Sequence, residues 1–199
     1  MKNNHYSGGL TREQFLFFET RIVARLICEG KNREDIIDEI AADNLFQYPT
    51  ERMTKRIANT CFKRIEALDS TELTECLASA SADVAKQINL YAIMCENSIV
   101  YDFMVDVIGE KYKTQEFDFS AKDVNLFFME LEEKVPEVGG WSESTIKKLK
   151  QVLVRFLVEC GYLESPRSQV LQPVYLFPEL ENVLRAEGDS DVLAAFNCV

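Results

Sequence analysis

With 199 residues, 47% of them hydrophobic and 28% charged, the chain has an ordinary globular composition, with length for one large domain or two small ones. Eight glycines, five prolines and no repeat period give disorder and solenoid folds no support, and no apolar run approaches the ~20 residues of a membrane helix. A net charge of −11 argues against nucleic acid as a partner of the chain taken whole, but the charge is segregated: residues 1–68 sum to +1, residues 69–140 to −10 and residues 141–199 to −2.

Helical signals dominate. Thr11 with Gln14 three residues on predicts a capping-box start for a helix that runs to Glu29 and stops at Gly30. Asn32 caps a second helix through Ala42, and Thr50, just after Pro49, caps a third reaching Leu68. Ser70 to Ala80 is a short helix; Ser81 to Asn97 and Ser98 to Lys113 are two longer ones with apolar residues at packing spacing. Ser120 caps a helix through Lys134, Pro136 and Gly139-Gly140 break it, and Ser142 starts another that ends at Gly161. Beyond it, Tyr162–Glu164 and Val170–Gln172 are β-prone, with Ser165-Pro166-Arg167-Ser168 as turn chemistry between them, so a small hairpin is expected before a last helix at Pro178. The expected fold is mainly α: a helical bundle with a helix-turn-helix-like N-terminal part (1–68), acidic central helices (69–118) and a C-terminal winged-helix-like unit (119–199) carrying the hairpin.

Two helices carry a basic face. On a wheel for Thr50 to Leu68, Met53, Ile57, Cys61, Ile65 and Leu68 form a core stripe, while Arg52, Lys55, Arg56, Asn59 and Lys63 share an arc of about 100° on the other side. Arg64 falls on the flank, where packing or an ion pair suits it better than contact. On the helix from Ser142, the outer arc holds Ser144, Lys147, Lys148, Gln151 and Arg155, and Arg167 stands at the expected wing tip. Lys and Arg neutralise phosphates, and Ser and Gln hydrogen-bond to phosphate or base edges. The bland alternatives are solvated bundle faces for the first helix and a protein-interaction winged helix for the second.

Catalytic motifs are absent: no phosphate loop, no nucleophile elbow, no HExxH, and a single histidine, His5, in a tail expected to be mobile. No enzyme, metal, cofactor or small-molecule substrate is expected. Asp102 and Asp106 lie at i, i+4 and read as an exposed helical edge, and Trp141 as a core anchor. Six cysteines without a CxxC pair read as free thiols used as small hydrophobes in a reducing compartment, and Met1 to Gly9 lacks a signal core, so a soluble cytoplasmic protein is expected. The acidic middle, with Glu130, Glu132 and Glu133, is either a solubilising surface or a docking face for a basic partner.

The run Tyr6-Ser7-Gly8-Gly9-Leu10-Thr11, the run from Phe15-Leu16-Phe17-Phe18-Glu19-Thr20-Arg21 to Leu26, and Asn44-Leu45-Phe46-Gln47-Tyr48-Pro49-Thr50-Glu51-Arg52 resemble the BrxA family of BREX bacteriophage-exclusion islands, as does the region of Trp141, Thr145 and Leu163. The resemblance spans nearly the whole chain. It implies a small, mostly helical, non-enzymatic accessory protein of phage defence, compared in fold with the antitermination factor NusB and associated with double-stranded DNA through helix-turn-helix-like ends. NusB-like proteins bind RNA and a protein partner, so RNA and other BREX proteins stand as alternative partners. Glu19, Arg21 and Arg25 lie in the most family-like run and are expected to form a structural ion-pair set.

Overall fold

The computed structural model describes residues 5–198; Met1 to Asn4, part of the N-terminal run read above, lie outside them. The chain divides into two units, where charge alone had suggested three segments. One is Phe15–Glu96; the other joins the N-terminal segment up to Gln14 to Asn97 and all that follows.

The first unit holds α1 (Phe17–Cys28), α2 (Arg33–Ala42), α3 (Glu51–Leu68), α4 (Thr71–Ser79) and α5 (Ala82–Glu96). Helix α1 begins later than Thr11 predicts: Gly8–Thr11 form a 3-10 turn, the Thr11 hydroxyl donates back to Gly8 O at 2.9 Å, and Leu16 in the left-handed region (φ 49°) delays the helix to Phe17. The caps predicted for the next helices are present. Asn32 Oδ1 accepts from Asp35 N at 3.0 Å and Thr50 Oγ1 from Met53 N at 3.3 Å; Ser70, given only as the start of a short helix, also caps it, its Oγ accepting from Leu73 N at 3.2 Å. Helix α5 is buried nearly all round, from Val84 and Ala85 to Ile93 and Met94, because α3, α4 and α1 all pack against it.

One predicted role changes here. Arg21 and Arg25 do not pair with Glu19. Their guanidinium groups donate to the carbonyls that end α4: Arg21 Nε to Ala78 O at 3.3 Å and Nη2 to Ala80 O, and Arg25 Nε to Ala78 O at 3.1 Å. Cations suit that negative end of the helix dipole. Glu19 instead accepts from the Tyr48 hydroxyl at 2.5 Å. Arg64, expected to pack or ion-pair on the flank of the apolar stripe, is wholly buried and donates from Nη1 to Phe15 O at 3.1 Å, the same carbonyl that takes Asn89 Nδ2 at 2.8 Å. Of the cysteines only Cys61 is buried; Cys28 is exposed and the others are intermediate, so most do not serve as core residues.

The second unit begins with the segment from His5, which is tied down: Ser98 N donates to His5 O at 3.0 Å and Asn97 Nδ2 to Ser7 O at 3.2 Å. Helix α6 (Ser98–Asp102) widens into a π-helical turn (Phe103–Gly109) and resumes as α7 (Glu110–Thr114), so the single helix expected from Ser98 to Lys113 is interrupted. The π turn packs against α12 (Ser190–Ala195), a helix with no separate signal in the sequence reading. Gly109 permits the approach: a Cβ there would stand 3.2 Å from Ala195 N. Between them run α8 (Ala121–Lys134), the short α9 (Pro136–Gly139), α10 (Glu143–Glu159) and α11 (Pro178–Glu187). Helix α10 ends where predicted, at Gly161 in the left-handed region (φ 77°). Its first turn packs on the 3-10 turn, with Trp141 half-buried there rather than deep in the core.

The predicted hairpin is absent, and with it the wing: among the described residues there is no strand, only an isolated bridge between Asp118 and Val170. The backbone of 162–177 is satisfied piecemeal. Gln172 N donates to Tyr162 O at 2.9 Å, but Leu171 N donates to Phe117 O at 2.7 Å, and Phe119 N to Gln169 O at 2.9 Å. Pro173 lacks the N–H that the next ladder bond requires. Tyr112 takes part too, its hydroxyl donating to Gln172 O at 2.6 Å, while the Tyr162 hydroxyl donates to Ala195 O at 3.0 Å.

Helix α8 starts with a full capping box. Ser120 N donates to Asp123 Oδ2 at 2.7 Å, and Lys111 Nζ stands 2.9 Å from Asp123 Oδ1. Burial pushes the Asp123 carboxyl up, but the Lys111 ammonium and the Ser120 bonds outweigh it and hold the carboxyl below its ordinary value. A depressed carboxylate stabilises the fold above its unfolded pKa, and that contribution is lost as pH falls through the folded value. Asp123→Ala is expected to cost about 1 kcal/mol at neutral pH, with the gap from the parent closing in acid, as urea denaturation at the two pH values measures.

Candidate nucleic-acid interface

The two predicted basic faces differ in how their charge is spent. On α3, Arg52 and Lys63 are exposed, but Lys55 lies 2.9 Å from Glu51 and 3.4 Å from Asp38, whose carboxylates hold its ammonium pKa above the ordinary value. Asn59 donates to Lys55 O at 2.8 Å and accepts from Arg33 Nη2 at 3.0 Å. Arg56 is half-buried. Arg33, which the wheel of α3 could not include, lies over the Phe62 ring at 5.3 Å and pairs with Glu66 at 3.1 Å. The α3 face is therefore a mixed-charge network in which Lys55 and Asn59 are already engaged.

On α10 the predicted outer arc stands clear. Ser144, Lys147, Lys148, Gln151 and Arg155 are all exposed, while Ile146, Leu149, Val152, Leu153, Phe156 and Leu157 are buried. Among the described residues no carboxylate pairs with Lys147 or Lys148, and Arg155 donates from Nη1 to the neutral Gln14 Oε1. Ser142 caps the helix, Oγ accepting from Thr145 N at 3.2 Å. Arg167 is exposed in the turn closed by Ser168 N to Ser165 O at 3.0 Å, a turn tip rather than a wing tip.

Helix α8 has opposite charge on its two flanks. On one, a cavity of about 410 Å³ has Asp102, Asp106, Glu110 and Glu130 on its walls and Val107, Leu126 and Phe127 among its apolar lining. Asp102, read from the sequence as an exposed edge, is buried there and accepts from the Tyr6 hydroxyl at 2.7 Å; burial first, and then Asp102, push the Tyr6 pKa up to about 12. Among the described residues, no group of His, Cys, Asp and Glu has the arrangement to hold a metal ion, and no helix is long and apolar enough to cross a membrane. On the other flank lies a groove shared with α10, rimmed by Asn125, Lys150, Gln151 and Arg155. Asn125 and Lys150, bonded at 2.9 Å, were not singled out from the sequence. Lys150 extends the run Lys147-Lys148, but it lies off the outer arc, and nothing local to α8 marks Asn125.

A profile of the BrxA family matches residues 4–188. The chain belongs to the BrxA family. Relatives named "BREX protein BrxA" include one from Bacillus cereus (strain H3081.97), 29% identical and covering 95% of this chain and 94% of its own length. Another, from Escherichia coli O9:H4 (strain HS), is 28% identical and covers 94% and 87%. The fold is similar to the crystal structure of an uncharacterized protein from Magnetospirillum magneticum, with a TM-score of 0.81, 22% identity and coverage of 98% of this chain and 99% of that one.

Proposed function

We propose that this BrxA-family chain is a non-enzymatic, cytoplasmic DNA-binding component of a BREX phage-defence system, contacting duplex mainly through its phosphates and with little sequence specificity. The observation that carries the reading is the row on α10: Lys147, Lys148 and Arg155, with Ser144 and Gln151 among them, all exposed and, among the described residues, none paired with a carboxylate, in a chain of net charge −11. Local field, not net charge, governs contact at distances below about 8 Å, the Debye length at physiological salt. Arg167 and the α3 residues Arg52, Lys55, Arg56, Asn59 and Lys63 are proposed as secondary contacts.

An electrophoretic shift assay at low salt tests the reading through Lys148→Glu/Arg155→Glu. Unchanged affinity in that double variant contradicts it. Lys55→Glu/Arg56→Glu is expected to have a smaller effect, because Lys55 already spends its charge on Glu51 and Asp38; equal losses in the two double variants contradict that ranking. Competition of duplex RNA against duplex DNA decides the alternative drawn from the NusB comparison.

The second reading is an adaptor that assembles other BREX components. The acidic cavity beside α8 favours it, since its carboxylates and apolar lining suit a basic, partly apolar protein segment. Pull-down after nuclease treatment separates the two readings: an adaptor keeps its partners when nucleic acid is destroyed, and a protein held only through DNA loses them.

A further inference from the structure

The groove between α8 and α10 has a volume of about 360 Å³, and among the described residues no carboxylate lines it. Ala121, Val124, Val154 and Pro166 supply its apolar surface. Gln151 and Arg155 belong both to this rim and to the exposed row on α10, so the groove is continuous with the proposed phosphate face.

The rim is rich in donors, with the Gln151 side-chain carbonyl as its open acceptor. The Asn125 side-chain carbonyl already accepts from Lys150 Nζ at 2.9 Å, leaving the Asn125 amide group as donor. The Lys150 ammonium, which also lies 5.6 Å from the centre of the Phe128 ring, keeps further N–H groups to offer. Arg155 places Nη1 on Gln14, and the rest of its guanidinium fork remains. A ligand matching this surface has an anionic acceptor end and a compact apolar ring. A deoxyribose with its phosphate has both.

We propose that this groove seats the sugar–phosphate edge of one DNA strand and thereby makes the surface prefer DNA to RNA. The inference rests on the duplex-binding reading above. The phosphate lies between Lys150 and Arg155, and the sugar packs on Val124, Val154 and Pro166. A ribose in the same place turns its 2′-hydroxyl toward the side chains of Val124, Val154 and Pro166, which replace none of the hydration it loses.

The test uses the full chain, short DNA and RNA duplexes of one sequence, fluorescence anisotropy over a range of salt, and circular dichroism to verify folding. Ala121→Trp narrows the apolar side of the groove from an exposed position in the first turn of α8 and keeps Lys150 and Arg155 for the phosphate. It is expected to weaken DNA binding about ten-fold while leaving RNA binding and the salt slope unchanged, because apolar contact area is lost and no phosphate contact is. Val154→Gln, at a half-buried position, makes the wall polar and is expected to narrow the preference for DNA. A fall in salt slope with Ala121→Trp overturns the apolar role. Parental DNA affinity in both folded variants, with Lys148→Glu/Arg155→Glu still impaired, overturns the groove and leaves the duplex reading standing. Absence of DNA binding by the parent overturns both.

Discussion

Lys148→Glu/Arg155→Glu is expected to lower affinity for duplex DNA on the order of a hundred-fold at low salt, and to reduce the magnitude of the slope of log K against log salt by about two. Each lost phosphate contact removes about one counterion's worth of slope, and each new carboxylate adds repulsion at the same site. Both positions are exposed, with no buried contact to lose, so the thermal midpoint should stay close to the parent's. A shift assay repeated over a salt series measures both quantities. A large affinity loss with an unchanged slope contradicts direct phosphate contact.

Arg64→Ala is expected to be the most damaging single change to stability, lowering it by about 3–5 kcal/mol. The side chain is wholly buried on α3, so truncation leaves a large cavity and removes a charge-assisted bond to Phe15 O. That carbonyl stands just before Leu16, whose left-handed conformation ends the segment leading into α1. Asn89 on α5 donates to the same oxygen, so α3 and α5 together hold the start of α1. Arg64→Ala and Asn89→Ala should therefore be non-additive, because removing one donor leaves the other to satisfy the carbonyl. Urea denaturation of the two single variants and the double variant measures the coupling; strict additivity contradicts the shared-acceptor account.

Most helices were legible because their signals are local. Asn32, Thr50, Ser120 and Ser142 all cap the helices they were expected to start, since a side chain needs only its own backbone a few residues on to do so. The hairpin failed for a non-local reason: the β-prone residues near Val170 find backbone partners at Phe117 and Phe119, some fifty residues away in the chain, and Pro173 stops any ladder. The start of α1 failed because the left-handed Leu16, with its preceding carbonyl held by Arg64 and Asn89, outweighs the capping signal at Thr11.

The candidate site divides in the same way. Periodicity determined that Ser144, Lys147, Lys148, Gln151 and Arg155 share the solvent face of α10, because the apolar stripe opposite leaves them nowhere else to point. The sequence by itself also determined the family and the segregation of charge along the chain. Tertiary structure alone decided which cations are already compensated: Asp38 on α2 reaches Lys55, whereas among the described residues no carboxylate reaches Lys148. It also decided that α8 carries an acidic cavity on one flank and an acid-free groove on the other. Charge along a chain is a one-dimensional quantity, and the field at a surface depends on which distant residues folding brings to within a few ångströms.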